Sequence, residues 1–106
     1  MLVVKNLSPS EFLDGYKNDP DAVLIDVRTP EENSEKRIPN SLNIDIYSPS
    51  FQQEILELDR EKSYYLYCRS GSRSFHAGLF MGQNGFTKVY NLDSGILGWR
   101  FETEKG

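Results

Sequence analysis

Cysteine, histidine and tryptophan each occur only once among these 106 residues. A lone cysteine cannot close an internal disulfide, so nothing asks for an oxidising compartment. The chain is long enough to bury a core without a disulfide, a metal or another cofactor. Long apolar runs are also missing: none approaches a membrane helix, and Met1-Leu2-Val3-Val4-Lys5 leads into a capped helix without the layout of a signal peptide. We therefore expect a cytoplasmic protein with no membrane partner. Positive charge is in short supply, with a net charge of −4 and a pI near 4.9. Such a chain repels a phosphate backbone, and its few arginines form no extended basic stripe, which argues against nucleic acid as a partner. There is no internal repeat, linker or low-complexity segment, so residues 1–106 read as a single domain.

What the chain does have is a distinctive setting for its one thiol. Cys68 follows the apolar run Tyr64-Tyr65-Leu66-Tyr67 and opens Arg69-Ser70-Gly71-Ser72-Arg73-Ser74, after which a helical pattern begins. A strand end, a tight loop and a helix start thus converge on one sulfur. Such a loop turns successive N–H groups inward and aims the positive end of a helix at the same point, an arrangement that holds anions. Arg69 and Arg73 add full positive charge. A thiol held there ionises below its reference value of about 8.5, because those surroundings favour the charged form. Unpaired cysteines in soluble proteins are more often small buried hydrophobes. Here the neighbours are poor core-filling residues suited to an exposed turn, and Cys68 reads as a nucleophile.

Elsewhere, short β-rich runs alternate with helical segments, the pattern of an α/β domain on a mostly parallel sheet. Leu2-Val3-Val4-Lys5 reads as a first strand. Ser8-Pro9-Ser10-Glu11 reads as a capping box, and Phe12, Leu13 and Tyr16 as the apolar face of the helix it starts. Ala22 to Val27 is nearly continuous hydrophobe, a strand covered on both faces, whose end delivers Asp26 and Arg28 to a loop. Thr29-Pro30-Glu31-Glu32 starts a short helical turn, Ser41 to Ile46 alternates like a strand, and Ser48-Pro49 opens a helix carrying Phe51, Ile55 and Leu56. The helix after the cysteine loop runs past Phe75, Leu79 and Phe80 and stops at Asn84-Gly85. Lys88-Val89-Tyr90 is a last strand, Gly95 to Trp99 a closing turn with a structural Trp99, and Glu102 to Gly106 a frayed tail.

At this point the chain resembles a known family, the single-domain rhodaneses, thiosulfate sulfurtransferase modules. Leu24 to Glu32 matches the family's segment after its second strand, Arg37-Ile38-Pro39-Asn40-Ser41 takes the place of its Gly-His-Ile-Pro-Gly-Ala segment, Cys68 to Arg73 matches the active loop, and Val89-Tyr90-Asn91-Leu92 with Gly95 and Trp99 matches the C-terminal signature. Two departures stand out: Arg37 replaces the histidine of the His-Ile-Pro segment, and Ser94-Gly95 replaces a glycine pair. The resemblance implies a three-layer α/β domain, a mostly parallel central sheet flanked by helices. It also implies that the Cys68 thiolate takes the outer sulfur of a small anionic donor such as thiosulfate, becomes a persulfide, and passes the sulfur to a thiol, cyanide or a sulfur-acceptor protein. The loop from Arg69 to Ser74 would hold the anionic sulfur, Arg69 and Arg73 would attract the donor, and no cofactor or metal is implied.

Other residues carry weaker cases. Asp26 and Arg28 sit at a strand end where sites gather, and a supporting ion pair tying Arg28 to Glu31, Glu32 or Asp26 is the reading ahead of direct catalysis. His76 lies inside the helix, eight positions past Cys68, and a thiolate needs no base. Two other function classes stay open. Cysteine phosphatases and arsenate reductases also run from a cysteine loop into a helix, but with five residues between cysteine and arginine where this chain has four, Arg69 to Ser72. A non-catalytic or sulfur-carrying partner-binding module of the same fold is the other.

Overall fold

The computed structural model describes residues 4–106. Its strands are β1 (Val4–Leu7), β2 (Val23–Asp26), β3 (Leu42–Asn43), β4 (Tyr64–Tyr67) and β5 (Val89–Leu92). They pair only in parallel, in the order β1-β5-β4-β2-β3. The helices are α1 (Pro9–Lys17), α2 (Pro30–Glu35), α3 (Phe51–Leu56) and α4 (Ser72–Gln83), and a 3-10 turn spans Ile96–Gly98. None of them is long and apolar enough to cross a membrane.

Strand alternation divides the interior into two cores, one on each face of the sheet. On β4, Tyr64, Leu66 and then Cys68 point to one side, where they meet Phe51 and Ile55 of α3 and Ala77 and Met81 of α4. Tyr65 and Tyr67 point to the other, against Phe12 of α1, Ile38, Ile96 and Trp99. A parallel sheet covered on both faces explains why β2 and β4 are apolar at almost every position. Trp99 is 8% exposed and sets its ring edge-on to Phe12.

The helix starts are set locally. Ser8 Oγ accepts the Glu11 N–H while the Glu11 carboxylate accepts the Ser8 N–H, a complete capping box with Pro9 in the first turn. Thr29 and Glu32 repeat the device on α2. At the far end of α4, Gly85 adopts φ +92°, the left-handed conformation that stops a helix.

Several boundaries differ from the sequence reading: β2 is one residue shorter at each end than the expected Ala22 to Val27, and β5 runs over Val89–Leu92 instead of Lys88 to Tyr90. The first strand is described from Val4 and runs on to Leu7; the Leu2-Val3 part of the expected strand lies outside the described residues. β3 keeps only Leu42–Asn43 of the expected Ser41 to Ile46: the Arg28 N–H turns back to Asp26 Oδ1 and the Arg28 carbonyl accepts from the Asn43 side chain, while the Ile46 N–H bonds the Val27 carbonyl instead. α3 begins at Phe51, since Ser48 Oγ accepts the Ser50 N–H and so caps the preceding turn instead of the helix. The tail is not frayed: Arg37 and Glu104 exchange main-chain hydrogen bonds of 2.9 Å and form an ion pair, and the Gly106 N–H reaches the Ser34 carbonyl.

Candidate active site

Cys68 leaves the carboxyl end of β4 between β5 and β2, the edge of a parallel sheet where sites form. The loop after it turns at Gly71, whose φ of +99° no side-chain-bearing residue adopts easily, and α4 begins at the next residue. The loop carbonyls face away from the sulfur: those of Cys68 and Arg69 accept the N–H groups of Ile96 and Leu97 at 2.9 and 3.2 Å. Its N–H groups are thereby left to face inward. Gly71 N–H donates to Cys68 Sγ at 3.1 Å, Ser74 N–H at 3.4 Å, and Ser74 Oγ lies 3.3 Å away.

These contacts decide the state of the sulfur. Cys68 is 1% exposed, and burial pushes its thiol up. The Ser74 hydroxyl and the N–H groups of Ser74, Gly71 and Ser70 outweigh that, and the thiol ends below its ordinary value. The direction is the one expected from the sequence, and of the causes named there the hydrogen bonds lead. Arg73 donates two hydrogen bonds of 2.9 and 3.0 Å to Glu32 and lies over the Tyr47 ring. It feels the sulfur's charge only after that of Glu32. Arg69, Ser70 and Ser72 are exposed at the loop's outer surface.

Glu32, which the sequence offered only as one of three candidate partners for Arg28, is instead the partner of Arg73. The Arg73 hydrogen bonds, with help from the Thr29 N–H and against the cost of burial, hold its carboxyl at about 2, below its ordinary 4.5. A carboxyl depressed by folding stabilises the protein above its unfolded value, and that stability is lost as pH falls through the folded one. Between pH 4.5 and about 2, therefore, urea midpoints should fall more steeply for the parent than for Arg73→Met. The same variant should raise the Cys68 thiol only slightly, as read by alkylation against pH.

Asp26 and Arg28 form a buried fork. Arg28 donates from Nε and Nη2 at 2.9 and 2.7 Å, and Asn33 adds a third side-chain donor to Asp26. Arg28 also reaches the Lys36 carbonyl. The pair braces the end of β2 against α2 and so fixes where Glu32 meets Arg73; it makes no hydrogen bond to the cysteine loop. His76 is exposed, with Nδ1 2.9 Å from the Ser72 carbonyl. Arg37 is turned to Glu104, away from the loop. Of the departing pair, Gly95 takes φ +65° and Ser94 takes no positive φ, so serine fits where it stands.

A buried thiol held by N–H groups thus sits at the carboxyl edge of a doubly covered parallel sheet in an α/β domain. The chain belongs to the rhodanese-like domain family, whose model matches residues 8–102. It is 32% identical over 101 residues to a putative sulfurtransferase, YtwF, of Bacillus subtilis, covering 95% of each chain. It is 35% identical over 79 residues to the thiosulfate sulfurtransferase GlpE of Pseudomonas syringae, covering 74% of this chain and 73% of that one. A rhodanese-like domain protein of Staphylococcus aureus has the same fold, with a TM-score of 0.82 at 24% identity over 96% of this chain and 98% of that one.

Proposed function

We propose that this protein moves a sulfane sulfur from thiosulfate, or a similar small anionic donor, to a thiophilic acceptor through a persulfide on Cys68. The observation that carries the proposal is the set of donors converging on Sγ from Gly71 and Ser74. In the first half-reaction the Cys68 thiolate attacks the outer sulfur of thiosulfate. The new S–S bond forms as the old one breaks, sulfite leaves with the electron pair, and the persulfide's terminal sulfur keeps the negative charge. In the second, an acceptor thiolate or cyanide attacks that terminal sulfur, and Cys68 leaves as a thiolate. The loop N–H groups are oriented before charge develops, which is where such donors contribute most.

Two features favour sulfur transfer over phosphate chemistry. The four residues from Arg69 to Ser72 make a smaller cradle than a phosphate with three oxygens requires, and Arg73, which would clamp such oxygens, is engaged by Glu32. A sulfur with almost no exposed surface also favours small donors. With one cysteine in the chain, unloading must come from outside: a free thiol, cyanide, or a thiol on an acceptor protein.

Intact-mass measurement tests this directly. Incubation with thiosulfate should add the mass of one sulfur atom, and cyanide or a thiol should then remove it. An unchanged mass, or hydrolysis of small aryl phosphates faster than sulfur transfer, would overturn the assignment.

A further inference from the structure

Asn91 occupies a position on β5 where alternation calls for a hydrophobe. Val89, two residues earlier, packs in the same core as Cys68, and side chains two apart on a strand share a face. Asn91 is 2% exposed, so its amide must find its partners within the protein. Its Nδ2 donates to the Gly71 carbonyl at 3.1 Å and to Asn6 Oδ1 at 2.9 Å, and its Oδ1 meets the Ser74 hydroxyl. That orientation is fixed. Turning the amide over would set its oxygen against the main-chain carbonyl of Gly71, which cannot donate.

Ser74 has one hydroxyl proton and three acceptors within reach: Asn91 Oδ1, Cys68 Sγ at 3.3 Å and the Gly71 carbonyl at 3.4 Å. Asn91 is the nearest. A neutral thiol fits all of them into one chain, S–H to Ser74 Oγ, Ser74 O–H to Asn91 Oδ1, and Asn91 Nδ2 to the Gly71 carbonyl. A thiolate has no proton to give. Ser74 can then serve it only by withdrawing from Asn91, whose buried oxygen is left without a donor, and a buried acceptor without a donor is costly.

We propose that Asn91 is a positioning residue that competes with the Cys68 sulfur for the single Ser74 proton, and so limits how strongly the loop stabilises the ionised sulfur. The limit serves the proposed chemistry, on which this inference rests for its purpose. Nucleophilicity falls as a thiolate is made more stable, whereas leaving improves, and Cys68 must do both in one cycle. A shared proton follows the charge: it turns to Sγ when that atom is anionic and returns to Asn91 when the charge moves to the terminal sulfur of the persulfide. The charged groups around the loop are Arg69, Arg73 with Glu32, Asp26 with Arg28, and Asp93, with His76 further along α4. None of them hydrogen-bonds the side chain of Ser74 or Asn91.

The test is alkylation of Cys68 by iodoacetamide against pH, with no sulfur donor present, in the parent, Asn91→Leu, Ser74→Ala and the double variant. Asn91→Leu should lower the apparent thiol pKa by about half a unit or more, Ser74→Ala should raise it, and Asn91→Leu should have no further effect once Ser74 is alanine. A bracing role alone predicts the opposite sign, because a loosened loop loses donors to the sulfur. A raised or unchanged pKa in Asn91→Leu, with a lowered unfolding midpoint, would therefore overturn the proposal. If that variant does not fold, the Raman S–H stretch of the parent decides. Below its pKa the sole cysteine should give one band shifted to the frequency of a strong S–H donor, and a band at the free-thiol frequency would overturn the proposal. Neither measurement needs sulfur transfer, so they stand or fall separately from the mass experiment.

Discussion

Cys68→Ser should take up no sulfur from thiosulfate and should transfer sulfur to cyanide at least about a thousandfold more slowly than the parent, with an almost unchanged urea midpoint. The two halves of this expectation have different physical sources. An alcohol at this position remains protonated at neutral pH, because the donors that hold the thiol below its ordinary value cannot bridge the much larger gap to an alkoxide. Without a second cysteine, no other residue can carry the sulfur. The fold, by contrast, has little to lose. The position is at the edge of a core, and Gly71 N–H and Ser74 N–H, which now face sulfur, can donate to a serine oxygen. Sulfur uptake measured by intact mass and turnover measured with cyanide check the first half, and urea unfolding the second. Substantial turnover in this variant would remove Cys68 from the centre of the mechanism.

The parts of this protein that were legible in the sequence are those decided within a few residues. Ser8, Pro9 and Glu11 make a helix start visible because each acts within one turn, and the same holds for Gly85 at the end of α4. The strand before Cys68 and the helix after it were legible for the same reason, and together they placed the sulfur at a sheet edge. What was not legible depends on residues far apart in the chain. Arg73 meets Glu32 across 41 positions and Arg37 meets Glu104 across 67, so neither the engagement of the loop arginine nor the anchoring of the tail shows in local pattern. Asn91 left a local signal: a polar residue on a strand position whose neighbour two residues away is core. Knowing that it faces Ser74 still required the strand order that puts β5 beside β4. Glu32 likewise stood in view as the third helical residue after Thr29, the place from which a capping box is closed.

Gly95→Ala should disable the site from a position that makes no hydrogen bond to the sulfur. Gly95 has φ +65°, and a Cβ built there would run into the Arg69 carbonyl and the Ser70 nitrogen. These are main-chain atoms of the loop itself, so relief cannot come from turning a side chain. The Arg69 carbonyl would have to swing away, breaking its 3.2 Å hydrogen bond from Leu97 N–H and straining the neighbouring bond from Ile96 N–H to the Cys68 carbonyl. Those two bonds are what keep the loop carbonyls outward and the N–H groups inward. Their loss should take donors off Sγ, raise the apparent thiol pKa and slow sulfur transfer by about a hundredfold, the cost of misplacing reacting groups by about an ångström. The unfolding free energy should fall by about 3 kcal/mol, from backbone strain and collision together. Gly85→Ala supplies the control. Its φ of +92° is also unfavourable for alanine, but a Cβ there would meet nothing nearer than Arg60 Cγ at 3.7 Å, far from the loop. That variant should lose about 1 kcal/mol from the backbone alone and keep both the thiol pKa and the transfer rate of the parent. Parent-like transfer in Gly95→Ala would show that the carbonyl-out geometry of the loop does not set the reactivity of Cys68.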